Sequence, residues 1–122
     1  MADICLVIPA SAVPKPRPRV ARSGGVYYPE RYEAWLGQVR DAILPEHGLS
    51  LLSDGPWWLS VTCYGGSSNR DGDNTVGGIM DALTGILWPN DSFKYLSDVH
   101  ILWYPVINPR DARTEIYCGL LT

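Results

Sequence analysis

Residues 10–25 read ASAVPKPRPRVARSGG, and this segment restricts the possible folds more than any other part of the chain. Its three prolines and its closing Gly-Gly exclude a regular helix and a central β-strand. The apolar run from Ile4 to Pro9 comes before it and predicts a largely buried strand. The chain must therefore leave a first strand and pass through an exposed basic arm, residues 10–25, before its next long element.

Beyond this arm, two helices alternate with strands. Pro29 suits the first turn of a helix, and apolar side chains then recur every three or four residues as far as Pro45. A loop is predicted at 46–56 and a second helix at 75–84. The predicted strands are a short one at 26–28 and longer ones at 57–64, 95–104 and 114–121. The order β-(β)-α-β-α-β-β predicts an α+β (mixed α/β) fold, with a four- to five-stranded mixed sheet and two helices.

Length and composition narrow the class of protein further. The 122 residues fit one domain, residues 1–122, and 46% hydrophobic residues are enough for a folded core. A net charge of -3 argues against a protein that coats nucleic acid non-specifically. Three widely spaced cysteines give little support for zinc or disulfides. With neither a signal-like start nor an apolar run of membrane-spanning length, we expect a cytoplasmic protein without a membrane partner.

Acidic residues gather around the predicted second helix. Asp71 and Asp73 flank a glycine just before it, Asp81 lies two turns beyond Asp73, and Asp91 follows the helix. Several carboxylates in one place repel one another unless a cation offsets their charge, and hard oxygen ligands suit Mg²⁺. This pattern indicates a metal site that could assist phosphodiester hydrolysis.

The same acidic residues also have a purely structural interpretation. Asp73 or Asn74 could cap the helix by accepting hydrogen bonds from its free N–H groups. Asp91 could be an ordinary turn residue. The spacing alone does not decide between a metal site and a set of caps and turns.

The basic arm is the second candidate for a functional segment. Lys15, Arg17, Arg19 and Arg22 place four positive charges within eight residues, between prolines that keep the backbone extended. Such an arm can follow the phosphates of a DNA backbone. A solvated surface loop is the alternative.

Taken in order, these motifs resemble the RusA-type Holliday junction resolvases. The stretches Asp71-Gly-Asp-Asn, Asp81-Ala-Leu and Trp88-Pro-Asn-Asp resemble the family signature DxDN…DAL…(W)xDD. The arm KPRPR, followed by VYYP and a further tyrosine, resembles the family's K-x-RPR…Y-x-P…Y pattern. The matches span roughly residues 6–95.

The resemblance implies a homodimeric endonuclease of mixed α/β fold that cuts four-way DNA junctions in recombination and repair. It implies Mg²⁺ as cofactor, with Mn²⁺ as a substitute, and it points to a family common in phages and prophages. Asp71, Asp73 and Asp91 match the metal-binding catalytic acids, and Asp81 matches the aspartate of DAL. The arm residues Lys15, Arg17, Arg19 and Arg22 would contact the DNA.

Two positions depart from the family pattern. Asn90 replaces the first aspartate of the DD pair, which keeps an acceptor oxygen and loses a charge. Gly77 stands where the family has a lysine that is expected to stabilise charge on the phosphate. Arg70 and Lys94 are the nearest cations in sequence that could replace it. Without a replacement, the activity would be reduced.

Two rival functions therefore remain alongside the endonuclease. Gly77 favours a catalytically weak or silent protein of the same fold that binds branched DNA. If the aspartates serve only as caps and turns, the chain is a non-enzymatic structural or interaction protein.

Overall fold

A computed structural model describes residues 3–47 and 53–121. Its regular elements, in chain order, are β1 (Ile4–Ile8), β2 (Arg19–Val20), β3 (Val26–Tyr27), α1 (Glu30–His47), β4 (Trp57–Tyr64), α2 (Gly72–Leu83), β5 (Leu96–Tyr104), a short 3-10 helix (Pro109–Asp111) and β6 (Arg113–Leu120). No helix in these two ranges combines the length and the apolar character that crossing a bilayer requires.

Four strands form one mixed sheet in the order β1-β6-β4-β5. The two outer pairs differ, because β1 runs antiparallel to β6 whereas β5 runs parallel to β4. The parallel pair needs a crossover connection, and α2 supplies it. The short strands β2 and β3 form a separate hairpin at the end of the basic arm. The predicted α+β fold with two helices and a four-stranded mixed sheet is confirmed.

The hydrophobic core lies between the helices and one face of the sheet. Alternate residues of each inner strand point into it, as in β4, where Trp57, Leu59, Val61 and Cys63 are buried. Val39 of α1 and Ile79 of α2 reach the same core. The remaining residues of each strand point to the opposite side of the sheet, on which no α-helix packs within residues 3–47 and 53–121. We call that side the helix-free face; its apolar and aromatic members include Val7, Trp58, Tyr64, Leu102 and Tyr104.

Most predicted boundaries differ from the structure by one to three residues. The largest difference is at α2, which begins at Gly72 instead of residue 75 and ends at Leu83. α1 continues to His47, and the basic arm, predicted to contain no regular helix and no central strand, contains the two-residue hairpin strand β2. Part of the predicted loop at 46–56 lies outside the described residues. The apolar run of β1 predicts a buried Cys5, but this residue is exposed because it alternates with the buried Ile4 and Leu6.

Candidate active site

Two acidic residues stand at the N-terminal end of α2. Asp71 is the N-cap residue, and its side chain makes no capping hydrogen bond. Asp73 lies in the first helical turn, where the positive end of the helix dipole favours a carboxylate. Both residues are exposed. The N-cap is therefore Asp71, not Asp73 or Asn74 as the capping interpretation has it, and the carboxyl group of Asp71 does not cap the helix.

The carboxyl groups of Asp71 and Asp73 lie close enough to share a hydrogen bond. This bond raises the pKa of Asp71 and lowers the pKa of Asp73, because it favours the protonated form of the first carboxyl group and the ionised form of the second. Asn74 fixes the arrangement: its Nδ2 donates to Asp71 Oδ2 at 3.0 Å, and its backbone N–H donates to Asp73 Oδ1 at 3.0 Å. The DxDN motif thus holds two carboxyl groups together in contact with solvent.

Asp91 lies in a different place. It occupies an exposed turn that follows the C-terminal end of α2, and Asn90 Oδ1 stabilises this turn by accepting from the N–H of Ser92 at 3.0 Å. Among residues 3–47 and 53–121, no three His, Cys, Asp or Glu side chains are grouped closely enough to hold a metal ion. The structure brings Asp71 and Asp73 together and does not bring Asp91 to them.

The tryptophan of the WxDD-like motif is a core residue. Trp88 is fully buried, packs edge-on against Trp57 at 5.8 Å between ring centroids, and lies with its Nε1 3.4 Å from the carbonyl of Met80. Trp88 thereby fixes the start of the turn that carries Asn90 and Asp91 against the last turns of α2. Its part in the motif is to position that turn.

The basic arm is bound to α2 at two levels of the helix. The backbone N–H of Lys15 donates to the carbonyl of Asn74 at 2.9 Å, and Lys15 Nζ lies 2.7 Å from Asp81 Oδ2. Just before this contact, the Arg70 guanidinium donates to the carbonyl of Ala12. Asp81, a possible supporting residue from the sequence, is therefore the ion-pair partner of the arm. Sequence reasoning missed this contact, because no local pattern connects residues 66 positions apart.

The other cations named from the sequence lie elsewhere. Arg17, Arg19 and Arg22 are exposed along the arm, where they are accessible to a binding partner. Lys94 Nζ lies 5.2 Å from the ring centroid of Tyr95, its own neighbour in the chain. Neither Lys94 nor Arg70, which is held by Ala12, lies over Gly77: a Cβ added to that glycine would meet nothing within 4 Å.

A cavity of about 170 Å³ lies beside the acidic pair, between the start of α2 and strand β5. Gly72, which separates the two aspartates, forms part of its wall, together with Arg70 and Trp103. Trp103 is held in place because its Nε1 donates to the carbonyl of Gly65 at 3.0 Å. Gly72, the residue between the two aspartates, therefore borders a concave surface that combines aromatic, hydroxyl and guanidinium groups.

Similarity to known proteins extends over most of the chain. The sequence matches the family Endodeoxyribonuclease RusA over residues 9–117, from the basic arm into β6. The chain belongs to the RusA family. RusA proteins are endonucleases that resolve Holliday junctions, bind branched DNA and generally depend on a divalent metal. No curated protein matches the sequence.

The donor set of this RusA chain can be tested against such a metal. Magnesium is commonly held by one or two carboxylates, with water and substrate phosphates completing its octahedron. Asp71 and Asp73 supply two hard oxygen donors that are already adjacent and exposed. Two adjacent carboxylates repel each other when both are ionised, and a divalent cation held between them would offset that repulsion. The residues therefore fit the metal.

Proposed function

We propose that this RusA-family chain is a magnesium-dependent endonuclease that cuts four-way DNA junctions during recombination and repair. The observation that carries the proposal is the exposed, hydrogen-bonded pair of Asp71 and Asp73 at the start of α2. Asp73 suits the positive end of the helix dipole, but the fold gives no structural reason for a second carboxyl group, that of Asp71, to be held against it. Their position matches the family's catalytic acids.

The reaction is hydrolysis of a phosphodiester. A water oxygen bonds to phosphorus, one P–O ester bond breaks, and the departing sugar oxygen takes up a proton. A divalent cation held by Asp71 and Asp73 would neutralise charge on the phosphate. Asn74 keeps the two carboxyl groups in place through its amide and its backbone N–H. We propose Asp91 as a third acid that joins the site when DNA is bound.

The basic arm is the proposed DNA-binding segment. Lys15 attaches it to α2, and Arg17, Arg19 and Arg22 follow this contact with their side chains exposed. Guanidinium groups bind phosphate oxygens in a bidentate manner, so these residues can follow the DNA backbone without reading its sequence. The arm thereby offsets the overall negative charge of the protein at the place where the substrate approaches.

We further propose a homodimer formed through the helix-free face. Val7, Leu102 and Tyr104 expose about half of their surface there, at 56%, 49% and 47%. Tyr104 stacks on Tyr64, on which the Arg113 guanidinium also lies, so the aromatic surface is ordered in the single subunit. A two-fold dimer would present two acidic pairs to a junction that is itself two-fold symmetric.

A cleavage assay on a synthetic four-way junction tests the function. The chain should cut the junction with Mg²⁺ or Mn²⁺ present, and it should not cut with a chelator. Asp73→Asn keeps the shape of the side chain and removes its charge, so it should abolish cleavage while junction binding remains. Asp54→Asn, in an exposed loop remote in sequence from the site, is the matched control and should cut as the wild type does. Cleavage by Asp73→Asn at the wild-type rate would refute the proposed site.

Gly77 gives one specific reason to consider a second function. α2 carries no lysine or arginine, so the helix itself offers no cation to the phosphate. If the wild-type chain binds junctions in a chelator and fails to cut with any divalent metal, it is a silent junction-binding protein. The same assay therefore separates the two functions.

A further inference from the structure

The position of Lys15 bears on a question that the proposed function leaves open, namely which cation meets the scissile phosphate. The chain has only two lysines, Lys15 and Lys94. Lys94 lies over the ring of its neighbour Tyr95, and the Arg70 guanidinium is bound to the carbonyl of Ala12. Neither cation named from the sequence lies over Gly77.

Lys15, in contrast, is attached along α2 itself. Its backbone N–H meets the carbonyl of Asn74 and its ammonium meets Asp81, so its side chain runs along the helix from one level to the other. Residues 74, 77, 78 and 81 lie on one side of a helix. The stem of Lys15 therefore passes the level of Gly77, more than 4 Å from the point at which a side chain at position 77 would begin.

Space and exposure at this place suit a phosphate. A Cβ at Gly77 would meet nothing within 4 Å, so the helix surface beside Lys15 is open. The side chains of Lys15 and Asp81 are 36% and 33% exposed, so the ammonium remains accessible while Asp81 holds it. Since Cβ atoms tilt towards the helix N-terminus, the side chain of Asp81 begins on the Gly77 side of its own Cα, and its carboxylate holds the Lys15 ammonium.

We propose that Lys15 is the phosphate-binding lysine of this chain and that it replaces, from the basic arm, the lysine that the family carries at position 77. A phosphate on the open surface above Gly77 would meet the Asp71–Asp73 pair with its cation on one side and the Lys15 ammonium on the other. Asp81 is the positioning residue, since it holds the ammonium beside that surface. This inference rests on the proposed endonuclease function.

A double-mutant cycle between positions 15 and 77 tests the proposal. Lys15→Met removes the charge and keeps the aliphatic stem, and it should lower the single-turnover cleavage rate at least tenfold. Gly77→Lys restores a cation at the family position, where the open space accommodates it. In the Lys15→Met background it should recover most of the lost rate, whereas in the wild type it should change the rate less than twofold.

Three further variants separate the role of Lys15 from a general loss of charge or stability. Arg31→Met, an exposed residue of α1, is the matched control for loss of a positive charge and should leave the rate unchanged. Lys94→Met should also leave it unchanged. Asp81→Asn keeps Lys15 but releases its ammonium, so it should lower the rate less than Lys15→Met does. Urea unfolding of each variant shows whether the fold is intact.

The salt dependence of junction binding in a chelator supplies a readout that is independent of cleavage. Lys15→Met should reduce the magnitude of the slope of log K against log salt concentration by about one. Adding Gly77→Lys to the Lys15→Met variant should restore the slope. If the wild type does not cut, the endonuclease proposal fails and this slope still decides the role of Lys15. If the wild type cuts and Lys15→Met cuts equally fast, or if Gly77→Lys accelerates both backgrounds alike, the Lys15 inference is wrong.

Discussion

Two adjacent glycines of α2 face different surroundings. A Cβ at Gly77 would meet no atom within 4 Å, whereas a Cβ at Gly78 would lie 3.0 Å from Cε1 of the buried Tyr32. Glycine lowers helix stability by about 1 kcal/mol relative to alanine. Gly77→Ala should therefore raise the free energy of unfolding by about 0.5–1 kcal/mol. Gly78→Ala should fail to do so, because α1 packs against that position. Urea denaturation of both variants measures the difference, and equal stabilisation would contradict the packing described.

Tyr32 carries a buried polar atom without a partner. Its side chain is 1% exposed, its hydroxyl has no hydrogen-bond partner among the described residues, and burial raises its pKa to about 12. An unsatisfied buried hydroxyl costs stability. Tyr32→Phe should therefore keep or raise the free energy of unfolding, by up to about 1 kcal/mol. Tyr28→Phe is the control, since Tyr28 is only half-buried. A clear loss of stability in Tyr32→Phe would show that the hydroxyl makes a bond.

Among the helices and strands, the sequence best predicts those in which a hydrophobic repeat continues over many residues. The apolar repeat of α1 and the alternation of β4 come from local geometry, and both elements lie where the pattern predicts them. The pattern places the start of α2 too late, because Asp71-Gly-Asp-Asn is also typical of a loop. Glycine can enter a first helical turn, and acidic residues are favoured there, so the helix begins at Gly72.

The site is only partly predictable for the same reason. Asp71 and Asp73 are neighbours in sequence, so their proximity follows from local geometry. The separation of Asp91 from them, and the contact of Lys15 with Asp81, depend on how distant segments pack. The order of strands in the sheet also depends on such packing. No single-sequence pattern reports these distances.

The turn with Asp91 and the start of α2 should respond differently to metal. In the absence of DNA, Asp71→Asn and Asp73→Asn should lose affinity for Mn²⁺, because each removes one member of the carboxyl pair. Asp91→Asn should keep that affinity, since Asp91 lies outside the pair, and it should lower junction cleavage. Titration calorimetry with Mn²⁺ and the junction assay measure the two effects. If Asp91→Asn loses Mn²⁺ affinity in the free protein, Asp91 is part of the metal site before DNA binds.

At the scale of the whole molecule, the helices cover one side of the sheet and leave the other side uncovered. The helix-free face carries Leu102 and Tyr104 on β5, which is an edge strand of the described sheet. An uncovered aromatic face next to an unpaired strand edge is suited to association, and a stable dimer buries about 1,000 Å² or more. The chain should therefore sediment as a dimer at micromolar concentration.

Leu102→Glu tests the position of this interface. A carboxylate in the centre of an apolar interface loses its hydration without gaining a partner, so the variant should sediment as a monomer. Val26→Glu is the control, because Val26 is also apolar and exposed but lies on the β2–β3 hairpin, away from the helix-free face. It should remain dimeric. If Leu102→Glu sediments as a dimer, the two subunits meet elsewhere. If Leu102→Glu is monomeric and still cuts one strand of a junction at a time, each subunit contains a complete catalytic site, and the dimer serves to pair the two cuts.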